Sequence, residues 1–426
     1  MRRLALLIHH AGAAPDLIYP SLKMLKDTEI VTFFIKSPTN ISLNNLYDKV
    51  IGTIGPAIEC FDEIDLIKQV IKYNNQNEIN GVFTLSEMLL LAASRISNEI
   101  GINFMSEDTI NSTQNKVIQR KILKKAGVPI PKFYEIKEKK DIGIATNRVG
   151  FPSVLKPNYG GGGYGIFKVK SIEKLKKKYN IERLKYENII QEDKNSTFNL
   201  EEDMKGEQWN LDDRIADYGS VESIVQNGKI IHLVISDRTH LLPPYRESGY
   251  ISPSNLSNHY KSLLKQITTD ALKALSIDNI MTHTEVKFTE SGPKIIEVNV
   301  RPGGTVPFRI LKATNGKFDL FLELAKMTLG ERIKTKIKFE KYAASKISLC
   351  PEGTWKISNI EFSNIKNISS LDLMIPIADV GQKVSSYRGI EDLIGLYYLS
   401  NKNYENLITD MYEIDEKLMV EYEKSG

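Results

Sequence analysis

The stretch that most constrains this chain is residues 282–304, Thr-His-Thr-Glu-Val-Lys-Phe-Thr-Glu-Ser-Gly-Pro-Lys-Ile-Ile-Glu-Val-Asn-Val-Arg-Pro-Gly-Gly. Polar and apolar residues alternate from Glu285 to Phe288 and from Ile296 to Val300. The turn signal Glu290-Ser291-Gly292-Pro293 lies between the two runs, a pattern that predicts a β-hairpin. Side chains in a strand alternate sides, so Glu285 and Lys287 share one face and Val286 and Phe288 the other. On the second strand Glu297 and Asn299 point one way, and Ile296, Val298 and Val300 the other. Such a hairpin buries its apolar side and presents two carboxylates and an amide. That donor set suits a hard cation such as Mg²⁺, which takes one or two carboxylates and completes its shell with water and phosphate. Arg301 adds a fixed positive charge, and Pro302-Gly303-Gly304 turns the backbone. The same alternation also suits an ordinary hairpin with a solvated acidic face.

A second stretch narrows the choice. Val154-Leu155-Lys156-Pro157-Asn158-Tyr159 leads into Gly160-Gly161-Gly162-Gly163-Tyr164-Gly165, and Ile166-Phe167-Lys168-Val169 follows. Without a Cβ, backbone amides can approach phosphate oxygens closely. No Gly-Lys-Ser/Thr follows, and the next residues read as a strand. A Walker loop and a dinucleotide fingerprint both require a helix there and are excluded. Strand, glycine loop and strand make a flap, with Lys156 on the entering strand aimed at phosphate. A plain surface hairpin is the competing reading.

Together these stretches resemble the ATP-grasp superfamily. The match lies in the glycine flap with its preceding Lys-Pro and in the late Glu…Glu-x-Asn strand pair ending in Arg, in that order and separation. Within the superfamily the chain looks most like the L-amino acid ligase branch of carboxylate–amine ligases. That likeness rests on Thr282-His283-Thr284-Glu285, Ser236-Asp237-Arg238-Thr239 and Glu247-Ser248-Gly249-Tyr250-Ile251-Ser252-Pro253-Ser254.

The resemblance implies an ATP-grasp fold of the α/β class. An open parallel-sheet domain (1–105) precedes the ATP-grasp domain (106–325, its flap lobe at about 140–200), and a small α+β domain (326–426) follows. It implies ATP as cosubstrate with one or two Mg²⁺, or Mn²⁺, held by Glu285, Glu297 and Asn299. Lys116 and Lys156 would hold phosphates under the amides of Gly160, Gly161, Gly162 and Gly163. Glu201, Met204 and Glu207 match the segment that takes adenine and ribose, with Asp203 a departure and Ile190-Gln191-Glu192 a competing register. Arg238 and Glu247 would meet the carboxylate and ammonium of an amino acid, and Arg301 the charge developing during reaction. For Lys116, Arg238 and Glu247 a solvated surface role is the alternative.

Composition fits these expectations. The chain has 426 residues, 41% hydrophobic and 26% charged, enough for several packed domains. Fifty-seven basic against 53 acidic residues is too balanced to argue for nucleic acid. Cys60 and Cys350 form neither a disulfide framework nor a metal-ligand spacing, as expected in a reducing cytoplasm. The apolar run Leu4–Ile8 is shorter than the roughly 7–15 residues of a signal peptide core and reads as a buried strand. Nothing approaches the roughly 18 apolar residues of a membrane span. The expected partners are small molecules, an amino acid or carboxylate and an amine, and a homodimer is compatible with the resemblance.

Elsewhere the pattern predicts strands at Leu4–Ile8, Ile30–Ile35 and Gly81–Thr84, alternating with helices near 16–26, 63–73 and 87–100. Gly12 in the first strand–helix turn lacks a full glycine fingerprint. Ser106 or Asp108 caps a helix running to about Ala126, closed by Gly127 and the following prolines. Strands near Ser220–Val225 and Lys229–Ser236 join through Gln226-Asn227-Gly228, and an amphipathic helix spans Tyr260–Ser276. Toward the end lie strands at 343–349 and 357–362 and a helix near 404–421.

The chemistry implied is ADP-forming ligation. Phosphorylation of a carboxylate gives an acyl phosphate, which an amine attacks. Competing readings are a carboxylase or purine-pathway ATP-grasp enzyme, and a nucleotide-binding scaffold without turnover.

Overall fold

The computed structural model describes residues 1–9, 15–37, 41–189, 197–389 and 392–424. Gly12 and Ile190–Glu192 lie outside the described residues. The chain begins as the alternation predicts. Arg2–His9, Thr28–Ile35, Ala57–Glu59 and Gly81–Thr84 form a parallel sheet, with Arg2–His9 between Thr28–Ile35 and Gly81–Thr84. Leu4, Leu6 and Ile8 enter one core while Ala5 and Leu7 enter another. A strand buried on both faces must be apolar throughout, which explains the uninterrupted run. The helix Ile41–Val50 and the short strand Ala57–Glu59 were not expected, and the first helix stops at Leu22. The helix expected from Glu87 begins as a 3₁₀ turn, Glu87–Leu89, before Leu90–Glu99.

The expected single helix over 106–126 is two. Ser106 caps Glu107–Gln114, and Asn115 takes an extended conformation and caps Lys116–Lys125, its Oδ1 accepting from the amides of Val117 and Ile118. Asparagine offers this alternative to helical hydrogen bonding, so the chain turns there.

An antiparallel sheet of four strands follows, ordered Phe133–Ile136, Phe198–Glu202, Ser153–Pro157 and Phe167–Val169. Leu155 and Leu200 pack beneath the helices Ile142–Val149 and Ile172–Ile189. Alternation turns Lys156, Asn199 and Glu201 to the other face.

The largest sheet has eight antiparallel strands. Gly292–Asn299 is at one edge, followed by Ile280–Thr289, Ile215–Gln226, Lys229–Thr239, Gly249–Ser252, Tyr342–Leu349, Leu393–Asn401 and Leu371–Pro376. The turn at Asn227-Gly228 has positive φ at both residues, as a tight hairpin requires. Helix Asn258–Ala274 packs Leu264, Ile267, Ala271 and Leu272 against Val286, Phe288, Ile295 and Val298. The predicted hairpin is present, with one correction. Glu285 pairs with Glu297 and Val286 with Ile295, so Ile296 is an extra residue in a β-bulge. Ile295, and not Ile296, enters the core with Val298.

A third antiparallel sheet joins Lys383–Ser385, Thr354–Glu361 and Met419–Lys424. The last helix therefore ends at Lys417, and the residues expected to extend it form a strand.

Candidate active site

Helix Lys116–Lys125 lies along the edge strand Gly292–Asn299 and fixes what that strand presents. Gln119 donates from Nε2 to the Val298 carbonyl and accepts the Val298 amide at Oε1, both at 2.9 Å. Arg120 donates to the carbonyl of the bulge residue Ile296. A bare sheet edge is thereby satisfied by side chains, and Glu297 is held facing away from the core.

Lys116, the first residue of that helix, is buried and joins the two expected stretches. Its Nζ lies 3.0 Å from Glu297 Oε1 and 2.5 Å from the Gly160 carbonyl, while its amide donates to Asn158 at 3.0 Å. A solvated lysine is excluded.

Beneath the flap, Lys156 Nζ lies 2.6 Å from Glu201 Oε2. Arg120 reaches the same carboxylate through Nε at 2.8 Å and Nη2 at 3.1 Å, and Asn199 Nδ2 donates to it at 2.6 Å. Burial opposes charge on Glu201, but Arg120 and Lys156 outweigh it and hold the pKa at about 2. For Lys156 burial dominates and lowers the pKa against the pull of Glu201. Glu201 is thus the counterion of two buried cations.

From Glu202 the chain crosses to the large sheet. Met204 is half-buried and Glu207 exposed. The Glu207 amide donates to the Phe288 carbonyl at 3.0 Å, and its Oε2 accepts from Trp209 Nε1 at 3.3 Å. Trp209 stacks between Tyr260 and Phe288, with centroids 4.4 Å and 4.7 Å away, which pins the crossing to the hairpin of Ile280–Thr289 and Gly292–Asn299. Asp203 pairs with Lys168 at 2.5 Å and accepts from Tyr245 Oη at 3.2 Å, so the departing residue links the flap's second strand to the 240–246 loop.

Glu285 faces Glu297 across the strands and anchors a chain of charges. Arg238 Nη2 donates to Glu285 Oε1 at 3.1 Å, and Arg238 Nη1 donates to Glu247. Tyr250 Oη donates to Glu247 Oε2 at 2.6 Å, and the Arg238 guanidinium sits 4.4 Å over the Tyr250 ring. His283 Nε2 is 3.2 Å from Glu285 and Nδ1 is 2.5 Å from Glu222, whose other oxygen accepts the Gly303 amide at 3.3 Å. Burial would lower the His283 pKa, but Glu222 and Glu285 outweigh it and raise it to about 9. Both ring nitrogens then donate, and the 3.0 Å approach of Arg238 Nη2 to His283 Nε2 is a contact of two donors that share Glu285. Glu285 in turn has its pKa held at about 2 against burial, by the His283 hydrogen bond and by Arg238 and Arg301. Arg238 and Glu247, expected to meet an amino acid's carboxylate and ammonium, are in direct contact with each other, and Arg238 is buried rather than solvated.

Arg301 turns toward the N-terminal sheet, its Nε 3.0 Å from Glu87 Oε2. Burial opposes its charge, yet Glu87, Glu297 and Glu285 raise its pKa. Asn299 is buried, its register partner being His283.

The donor set fits Mg²⁺ in chemistry. Glu285 and Glu297 are opposed carboxylates, an arrangement unfavourable without an intervening cation. Here each carries a protein cation instead, Glu285 facing Arg238 and Glu297 facing Lys116. Among the described residues no cluster of three or more His, Cys, Asp or Glu closes a metal cage. The remaining ligands would therefore come from phosphate, water and Asn299, as the open shell of Mg²⁺ permits.

Arg120, Glu222, His283 and Glu87 were not assigned by the sequence. Two had a signal. Arg120 stands one helical turn after Lys116, and His283 lies in the Thr282–Glu285 stretch that carries the family likeness.

Residues 149–307 match the family model described as ATP-grasp domain. The alanine–anticapsin ligase of Bacillus subtilis (strain 168) is 25% identical over 250 residues, covering 57% of this chain and 52% of that protein. An L-arginine-specific L-amino acid ligase of Bacillus subtilis is 24% identical, covering 52% and 51%. The chain spans about half the length of the curated relatives it matches. Among solved structures, an L-amino acid ligase from Bacillus licheniformis superposes with a TM-score of 0.80 at 19% identity, covering 100% of this chain and 99% of the other. Residues 149–307 thus match an ATP-grasp domain model, and the chain as a whole shares the fold of the L-amino acid ligase from Bacillus licheniformis.

Proposed function

We propose that the chain is an ATP-dependent, ADP-forming ligase that joins the carboxylate of an amino acid to an amine, most simply a second amino acid, through an acyl phosphate. The observation that carries this reading is Lys116, whose ammonium touches both the glycine loop at Gly160 and the acidic strand at Glu297. A cation shared by a glycine loop and a carboxylate strand supports a polyphosphate bound between them.

In this reading Lys116 and Lys156 take up phosphate charge, trading their present carboxylate partners for phosphate oxygens. The amides of Gly160 to Gly163 cover the transferring end and keep water out. Glu285, Glu297 and Asn299 hold Mg²⁺, which when bound neutralises phosphate oxygens and aligns them for displacement. Arg120 and Asn199 keep Glu201 charged beneath Lys156, while Met204 and Glu207 border the nucleotide on the crossing. Arg238 and Glu247, with Tyr250, receive the amino acid's charged groups. Arg301, steadied by Glu87, faces the charge that develops on the acceptor carboxylate.

Residues 1–105, 106–325 and 326–426 serve as substrate-side, nucleotide and C-terminal units. The last two share the sheet at Gly249–Ser252 and Tyr342–Leu349. Among the described residues no helix is long and apolar enough to cross a membrane, and both cysteines are buried and unpaired. The unpaired thiols support a cytoplasmic setting.

Screening ATP turnover over pairs of amino acids tests the reading. ADP should appear only with a competent pair, in step with amide. AMP and pyrophosphate would contradict it, and turnover that depends on bicarbonate would move the chain to the carboxylases.

A further inference from the structure

The glycine loop in this structure has an outer wall, and the wall comes from the other end of the chain. Gly389 follows the short turn Ser386–Arg388, with φ +64°. A Cβ placed on Gly389 would lie 2.2 Å from the Gly162 carbonyl oxygen and 3.0 Å from the Tyr164 amide nitrogen. No side chain fits between the two backbones, and the obstacle is backbone that a rotamer change cannot clear.

On the other side, a Cβ on Gly163, whose φ is +77°, would stand 2.6 Å from the carbonyl oxygen of Tyr245. The loop is therefore clasped between Tyr245 and Gly389, each approach being possible only for glycine.

The outer wall is tied to its own sheet. Ser386 donates its amide to the Gly353 carbonyl and accepts the Gly353 amide at Oγ, both at 3.0 Å, and the Ser385 amide donates to Asp392 at 2.7 Å. Next to it, Lys178 places its ammonium 3.9 Å from the Phe167 ring centroid and 5.7 Å from that of Tyr387. This links the strand that leaves the loop to the same turn.

We propose that the turn Ser386–Gly389 is a stop against which the glycine loop closes. Gly389 is thereby a positioning residue that sets how far the loop advances over the phosphates. The proposal rests on the ligase reading above and adds to it the part that keeps the reaction coupled. If the loop stands off, water reaches the acyl phosphate. Its oxygen attacks the acyl carbon, the bond from that carbon to the phosphate oxygen breaks, orthophosphate leaves, and a proton passes to solvent. The amino acid is regenerated, and ATP has been consumed without amide formation.

Gly389→Ala in the full chain tests this, with Gly381→Ala as its control. Gly381 belongs to the same C-terminal unit and also has positive φ, +88°, but a Cβ there meets nothing within 4 Å. Both substitutions strain the backbone, and only the first strikes the loop. The ratio of ADP to amide should rise several-fold in Gly389→Ala and stay at the wild-type value in Gly381→Ala. Tyr387→Ala, at a 41% exposed residue, should raise the ratio in the same direction should Gly389→Ala fail to fold. Limited proteolysis with a non-hydrolysable ATP analogue and Mg²⁺ gives a readout independent of turnover. Cutting at 158–164 should be faster in Gly389→Ala than in wild type or Gly381→Ala. An unchanged ratio with equal protection, or equal uncoupling by both glycine substitutions, would overturn the stop. Wild-type protein that makes no amide with any pair would overturn the ligase reading instead, and proteolysis would still judge the stop.

Discussion

Glu285 and Glu297 stand directly opposite each other on adjacent antiparallel strands, each matched by its own protein cation, Arg238 for the first and Lys116 for the second. Two facing carboxylates are unfavourable unless positive charge intervenes. The hairpin thus presents an anionic pair whose present partners come from opposite sides, a helix on one side and the large sheet on the other.

The first prediction follows from that pair. Glu297→Gln retains shape and removes one charge, so the saturated rate should fall by roughly 10²-fold or more, in the range of losing a preorganised charge contact. Val298→Ile, on the buried face, should leave the rate nearly unchanged and cost at most about 1–3 kcal/mol in packing. Steady-state kinetics beside urea denaturation distinguishes the two. Equal rate losses would mean that the polar face is misassigned.

Arg301 gives the second. If it stabilises developing charge, Arg301→Met should lower the saturated rate by roughly 10²–10³-fold and leave ATP affinity by calorimetry near normal. Lysine should rescue only in part, because it lacks the planar fork. A rise in the apparent Michaelis constant for ATP with the saturated rate intact would move Arg301 into nucleotide binding.

The third concerns stability. Arg120 and Glu201 are both buried and joined by two hydrogen bonds. Arg120→Met leaves Glu201 with Lys156 alone among its cations and frees the Ile296 carbonyl. The cost should be about 3–5 kcal/mol, as for other broken buried pairs. A loss below about 1 kcal/mol in urea would show the pair to be dispensable.

The sites differ in how far the sequence disclosed them. The hairpin and the flap were legible because their signals are local, a two-residue alternation and a run of glycines. The bulge was not, since Ile295 and Ile296 are both apolar and an extra residue between them leaves no mark on the pattern. The break at Asn115 leaves only a weak mark, the poor helix formers Asn111, Ser112 and Thr113 before it, because an asparagine that can cap a helix can also sit inside one. Arg120 with Glu201, Glu222 with His283, Arg301 with Glu87 and Gly389 with Gly162 are far apart in the chain. Glu222 and His283 meet as register partners on adjacent strands of one sheet, and only tertiary packing brings the other pairs together.

A fourth prediction uses pH. His232 bonds Ser223 through Nδ1 at 2.8 Å and Thr269 through Nε2 at 2.9 Å, and burial with the nearby Lys265 lowers its pKa to about 4. Between about 6.5 and about 4 the unfolded chain takes up a proton that the folded chain refuses. The stability is therefore complete above the unfolded pKa and declines as pH falls through that window. His232→Gln should lose less melting temperature than wild type between about pH 7.5 and about pH 5. Parallel losses would place the acid sensitivity elsewhere.

An acyl phosphate intermediate leaves an isotopic signature in the released phosphate. An amino acid carrying ¹⁸O in its carboxylate is incubated with ATP, Mg²⁺ and a competent amine, and the released phosphate is analysed by mass spectrometry. When the amine displaces phosphate from the acyl carbon, the bridging oxygen leaves with phosphorus. One labelled oxygen is expected in each phosphate formed alongside amide. Unlabelled phosphate, or label recovered in AMP, would contradict the acyl phosphate.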